Sequence, residues 1–234
     1  MKDRKNALFS AIINEHINTG NTVASKVLVD KYDFALSPAT IRNEMADLEK
    51  EGLIFQPHTS AGRIPTEKGW KFYIENLLKD AGLAEKHQEV LDKAFGHNQN
   101  SYDSAVKSVA KVMANLSKEA VFVGFDSDSF YYTGLSNLFR QPEFQKIDLV
   151  CQISDLVDHL DEVVGHLFSD QESDQEKILV GRDNPFGKDC SSIMAYYTFG
   201  KKKKGLFGIL GPVRMNYTHN LSLIKYAKKL FASA

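Results

Sequence analysis

Apolar positions at the start of the chain recur at helical spacing. Leu8 and Ile12 lie one turn apart, and so do Phe9, Ile13 and Ile17, which predicts an amphipathic helix. Thr19-Gly20 ends it, with Gly20 suited to the left-handed position after a helix. A second short helix fits residues 24–32, with Val27 and Leu28 facing inward. The next start signal is stronger. Ser37 can cap a helix whose first turn accepts Pro38, and Ile41, Met45 and Leu48 form one inward stripe before Gly52 stops the helix after Glu51. The pattern then turns extended over 53–56 and 63–64, around the turn-rich PHTSAG, which predicts a hairpin. Thr66 opens a further helix that offers Trp70, Tyr73, Ile74 and Leu77 to a core.

Residues 79–118 read as helical, broken near FGHNQNSYDS. Tyr102, Val106, Val109, Met113 and Leu116 are spaced as a helix–helix seam. Such a seam either packs within its own domain or joins two copies, and it is the first choice among surfaces for a dimer. From residue 119 the chain predicts strands at EAVFVGF and FYYTGL, then a helix over 153–168 with Leu156, Leu160, Val163 and Leu167 on one face. The polar stretch SDQESDQE reads as a surface loop. Strands follow at KILVGR, IMAYYTF and LFGILGP, the last two joined by GKKKKG. A closing helix turns Leu223, Ile224, Ala227, Leu230 and Phe231 inward. The expectation is an α+β chain. Its first part, over 1–78, has the element order of a winged helix-turn-helix. A helical connector over 79–118 and an α+β domain with a mostly antiparallel sheet over 119–234 complete it.

The 234 residues are 43% hydrophobic and 25% charged, an ordinary globular composition. The two cysteines, Cys151 and Cys190, are too few for a disulfide framework and lack metal-site spacing. They read as small core hydrophobes in a reducing cytosol. The seven histidines do not cluster as zinc ligands, and no nucleophile elbow or glycine-rich phosphate loop is present, so neither catalysis nor a cofactor or metal is expected. No apolar run approaches the ~20 residues of a membrane helix, and the N-terminus lacks the apolar core of a signal peptide. The expected location is the cytoplasm, with no membrane partner. The net charge of −1 does not advertise nucleic acid, and residues 1–80 balance eleven basic against eleven acidic residues. Any DNA contact must come from locally concentrated groups.

Two places offer that chemistry. On the third helix, the side opposite the apolar stripe carries Ala39, Asn43, Ala46 and Lys50, flanked by Thr40, Arg42 and Asp47. The alanines permit close approach to a groove. Asn43 can pair with an adenine edge, and Arg42 can reach a guanine or a phosphate. The N-terminus capped by Ser37 can donate backbone N–H groups to a phosphate. Glu44, Asp47, Glu49 and Glu51 favour the opposing reading of a solvated face, but they crowd the C-terminal half, whereas base contacts come mainly from the N-terminal part. The second place is the hairpin. Residues 58–71 carry a net charge of +2 from Arg63, Lys68, Lys71 and Glu67, with His58, Thr59 and Ser60 as small donors. Such a tip can enter a minor groove or follow a backbone, or be an ordinary surface hairpin. The lysines of GKKKKG read first as solubilising a hairpin tip.

The run SPATIRNEMADLEKEGLIFQPHTSAGRIPTEKGWKFYIENLL closely resembles the HrcA family of heat-inducible transcription repressors. So do INTGNTVASKVL before it, and GLSNLFRQPEF (134–144), VGRDNPFGKDCSSIMAYY (180–197) and GLFGILGPVRMNY (205–217) after it. The resemblance implies a winged-helix domain followed by a GAF-like domain. It also implies dimers acting on the inverted-repeat operator CIRCE upstream of chaperone genes, and a GroE chaperonin that helps maintain the active state. By the same resemblance, the helix around Thr40, Arg42 and Asn43 is the recognition helix, and the hairpin from His58 to Arg63 is the wing. Family members are longer. Here EAVFVGFDSDSF leads almost directly into YYTGLSN, so the expected C-terminal domain is a reduced GAF-like one without the inserted dimerisation domain. The expected function is sequence-specific repression of heat-shock genes. The alternative is a small-molecule or partner-binding sensor whose DNA-binding domain is secondary.

Overall fold

Phe9, Ile12, Ile13, Leu28 and Ile41 lose all their solvent exposure and Met45, Leu48, Ile54 and Trp70 nearly all of it, and these side chains form the core of the first of two units, Met1–Lys79 and Asp80–Ala234. The computed structural model describes residues 2–32, 34–97, 101–126, 129–145, 160–169, 175–200 and 203–234. The first unit runs α1 (Lys2–Thr19), α2 (Ser25–Lys31), α3 (Pro38–Lys50), β1 (Ile54–Phe55), β2 (Ile64–Pro65) and α4 (Glu67–Asn76). Local chemistry sets its boundaries. Gly20 and Gly52 take positive φ, +67° and +74°, where α1 and α3 stop, a region open to glycine without steric cost. Thr66 Oγ1 accepts from the Gly69 N–H at 2.9 Å to start α4. A Cβ at Gly69 would lie 2.0 Å from the Leu53 carbonyl oxygen, so only glycine lets α4 pack this close to the hairpin base. Two details differ from expectation. Val27 is only half-buried, leaving Leu28 as the inward residue of α2. The strands are two residues long, in the register Ile54↔Pro65 and Phe55↔Ile64, because Arg63 pairs instead with Val23 in an isolated antiparallel bridge.

The second unit contains α5 (Glu85–Gly96), α6 (Tyr102–Ser117), β3 (Ala120–Gly124), β4 (Phe130–Thr133), α7 (Leu135–Phe139), α8 (Leu160–Ser169), β5 (Lys177–Val180), β6 (Cys190–Phe199), β7 (Lys203–Pro212) and α9 (Tyr217–Ala232). The strands form one sheet in the order β4-β3-β7-β6-β5, and every neighbouring pair is antiparallel. One face gathers Ala120, Phe122, Met194, Tyr196, Leu206 and Leu210 with Leu138, Phe144, Val164 and Phe186. The other, with Val121, Val123, Ile193, Phe207 and Ile209, is also buried, and α6 and α9 pack on that sheet. Burial on both faces explains why β6 and β7 read as nearly continuous apolar runs rather than as alternation. The expected helix over 153–168 is seen from Leu160. Its earlier part, Cys151, residues 170–174 of the polar loop, and Lys201 and Lys202 lie outside the described residues.

The resemblance segments of this unit interlock. Asn137 Nδ2 donates to the carbonyls of Ala114 and Glu119, at 3.0 and 3.2 Å. Arg214 pairs with Glu143 and reaches Gln141 Oε1 at 3.0 Å. The Tyr217 hydroxyl lies 2.8 Å from Ser191 Oγ and 2.6 Å from the Val213 carbonyl oxygen. Where they converge, the Glu119 carboxyl sits over Gly211, close enough that a Cβ there would meet its Cδ at 2.7 Å. Glu119 is 5% exposed. Burial pushes its carboxyl up to about 8, against the pull of the Arg214 charge.

Val106, Val109 and Met113 are 0% exposed within the single chain, because α6 packs against α5, β3 and α9. The seam is therefore core, and its reading as the join between two copies is overturned. Val109→Asp is expected to cost about 3 kcal/mol or more by burying an unpaired carboxylate. Urea unfolding followed by circular dichroism should show loss of the folded second unit; a stable, folded monomer would restore the seam as an interface. A second expectation concerns pH. The folded chain holds the Glu119 proton more tightly than the unfolded chain does. This contribution is present in full below the ordinary carboxyl range and is lost as pH rises through about 8. Glu119→Gln stays neutral, so its stability relative to the parent should climb between pH 5 and pH 8, by up to about 1.4 kcal/mol per pH unit. A difference that does not vary with pH in chemical denaturation would show that the carboxyl is not held neutral.

Candidate nucleic-acid interface

Helix α3 has one face for the core and one for solvent. Ile41, Met45 and Leu48 are at most 1% exposed, which fixes its rotation about its own axis. The turn at the N-terminus is closed by Ser37, whose Oγ accepts from the Thr40 N–H at 3.1 Å and lies 3.0 Å from Thr40 Oγ1. Pro38 occupies the first helical position, where its missing N–H costs nothing. On the outward side Ser37, Ala39, Arg42 and Asn43 are exposed and Thr40 is half-buried. The side chains of Arg42 and Asn43 make no hydrogen bond or ion pair with another described residue. Five of the sequence-derived candidates thus share the N-terminal half of one helix face.

The remaining candidates divide differently. His58, Thr59 and Ser60 are exposed at the hairpin tip, where the Ala61 N–H donates to the His58 carbonyl at 2.9 Å. Lys50 is at the far end of α3, where Nζ lies 3.0 Å from Asp47 Oδ1. Lys68 Nζ donates to the Glu51 carbonyl at 2.8 Å, placing its charge at the C-terminus of α3, where the helix dipole favours a cation. Arg63 does not lie at the tip. Its backbone N–H and C=O both bond to Val23 at 2.9 Å. Its Nε donates to Glu49 Oε2 at 2.9 Å, and its side chain is only 15% exposed. The arginine expected to serve the hairpin's contact with a groove or backbone is therefore already engaged by a carboxylate of α3.

The carboxylates that counted against DNA binding have structural partners. Glu44 pairs with Arg4 and Glu51 with Lys5, tying α1 to α3. Glu49 engages the hairpin through both oxygens, Arg63 on one and the Gln56 N–H on the other at 3.2 Å. Gln56 in turn closes the loop, its Nε2 donating to the carbonyls of Thr59 at 3.0 Å and Ala61 at 2.8 Å. Neither residue was among the sequence candidates. Glu49 and Gln56 are seven positions apart, and a helix end and a strand lie between them, so no periodicity links them. Phe55, 42% exposed on β1, was also missed, because a two-residue strand is too short to show alternation.

The match to a family model described as the HrcA protein C terminal domain covers residues 68–220. Among curated relatives, the heat-inducible transcription repressor HrcA of Halalkalibacterium halodurans is 23% identical over 331 aligned positions, covering 98% of this chain and 96% of that one. The protein of the same name from Natranaerobius thermophilus is 27% identical over 323 positions, covering 94% and 93%. That from Pelotomaculum thermopropionicum is 35% identical over 141 positions, covering 59% of this chain and 40% of its own. The longer alignments exceed the 234 residues here, so those relatives carry internal segments without a counterpart in this chain. A crystal structure of a hypothetical protein at 2.2 Å resolution superposes with a TM-score of 0.79 at 17% identity, over 99% of this chain and 98% of that one, which shows a shared fold. Among the described residues no helix is long and apolar enough to cross a membrane. With the family model matching well over half of its length, the chain belongs to the HrcA family of heat-inducible transcription repressors.

Proposed function

We propose that the first unit is a winged helix-turn-helix that represses heat-shock (chaperone) genes by occupying their operator. Helix α3 enters the major groove and the hairpin is the wing. The observation that carries this reading is the outward face of Ala39, Thr40, Arg42 and Asn43 at a capped helix N-terminus, with Arg42 and Asn43 unengaged by other described residues. Small residues, a bidentate amide, a guanidinium and free backbone N–H groups are what base and phosphate recognition use. In this reading residues 1–78 form the DNA-binding domain. Residues 79–118 are the helical connector, built into the second unit, and 119–234 form a reduced GAF-like domain. A symmetric inverted repeat calls for a two-fold partner, so the active form is a cytoplasmic homodimer on double-stranded DNA. The GroE chaperonin is the partner implied by family resemblance.

The test is an electrophoretic shift at fixed salt, comparing a duplex bearing the CIRCE inverted repeat with an unrelated duplex. Asn43→Ala should weaken binding to the inverted repeat by about 1–3 kcal/mol, with little change on the unrelated duplex. Unaltered specific affinity in that variant would remove Asn43 from the base contacts. A parent protein that fails to prefer the inverted repeat would overturn the reading itself.

A further inference from the structure

Glu49 is an acidic residue on the helix assigned to DNA, and simple electrostatics makes it unfavourable beside phosphates. Its surroundings give it another task. Each carboxylate oxygen takes a donor from a different strand of the hairpin: the Gln56 N–H at 3.2 Å where β1 leaves, and Arg63 Nε at 2.9 Å where β2 begins. The hairpin is tied down on its other side as well. The Gly62 N–H donates to Thr22 Oγ1 at 3.2 Å, and Arg63 exchanges both backbone bonds with Val23. A Cβ at Gly62 would lie 2.5 Å from the Val23 carbonyl. The returning strand is thus held between the α1–α2 link and α3, while His58, Thr59 and Ser60 project beyond it, exposed. Across that gap Glu49 is the side chain that bonds α3 to both strands.

We propose that Glu49 is a positioning residue for DNA binding, acting through Gln56 and Arg63 to fix the spacing between α3 and the wing so that both engage one duplex. The proposal rests on the DNA-reading function above. The ion pair is partly buried, its side chains 15% and 35% exposed, and contributes modestly to stability on its own. Its value lies in geometry: a wing held at a set offset meets the backbone without an ordering cost at the moment of binding.

The sign of the effect makes the proposal testable. If Glu49 only repelled phosphate or sequestered Arg63, its removal would tighten binding to every duplex and steepen the salt dependence by about one phosphate-equivalent. As a positioning residue, its removal loosens specific binding instead. We expect E49A to lower affinity for the CIRCE duplex roughly tenfold, with melting temperature and binding to an unrelated duplex nearly unchanged. E49Q, which keeps one acceptor, should fall between E49A and the parent. The double variant E49A/R63A should bind no more weakly than R63A alone, since both act through one tie. In the free protein, amide exchange at Gln56 should be faster in E49A. Tighter or unchanged operator binding by E49A, additive losses with R63A, or an unaltered Gln56 amide would each overturn the proposal while leaving the DNA-reading function intact. A parent protein without preference for the inverted repeat would instead overturn that function, and the proposal with it.

Discussion

A helix that leaves one face to solvent has only its other face with which to hold itself in place. In α3 that task falls on three side chains, Ile41, Met45 and Leu48, all driven out of water in a helix that packs against α2 and β1. Their burial sets both the depth and the rotation of the helix, and so decides that Ala39, Arg42 and Asn43 look outward. Removing such a side chain from a core costs a few kcal/mol, comparable with a large share of a domain's net stability. The Ser37 cap sets where the helix begins, which determines which backbone N–H groups remain without a helical partner.

Charge is then distributed around that constraint rather than added to it. The first 80 residues balance eleven basic against eleven acidic residues, and many of these pair with each other. Arg4 and Lys5 of α1 meet Glu44 and Glu51 of α3, and Arg63 meets Glu49. Lys68 lies on the carbonyl end of the helix. The C-terminal half of α3 thereby becomes the fastening of the unit, its anions paired within the unit, and the N-terminal half leaves Arg42 and Asn43 exposed. A bulk count of charge averages the two halves and loses the distinction.

This division explains what could be read from sequence. Helix ends were legible because each is written in a few adjacent residues: Ser37 with Pro38, Thr66 with Gly69, and Gly20 and Gly52 at positive φ. The apolar stripe of α3 was legible because burial repeats with the helical period. The tie from Glu49 to Gln56 and Arg63 was not, since it joins three elements at distances set by packing rather than by periodicity. The same limit applies to the bridge between Val23 and Arg63, which takes Arg63 out of the strand expected over 63–64 and pairs it with the link between α1 and α2. Glu119 escaped notice for a related reason. It precedes a strand as an ordinary polar residue, and its burial follows from Asn137, Gly211 and Arg214 converging on it from remote segments.

The α6 seam carries the same lesson for assembly. A spacing of four and three reports that a helix has an apolar face, and says nothing about whose surface covers that face. In this chain α5, β3 and α9 pack on it, and Val106, Val109 and Met113 keep no exposed area for a partner. The sheet has both faces occupied as well. Any second copy would have to meet this chain through surface that its own core has not consumed. The sequence pattern that marks a buried helix most clearly is for that reason poor evidence of a dimer, because the more completely a chain satisfies it internally, the less remains to be shared.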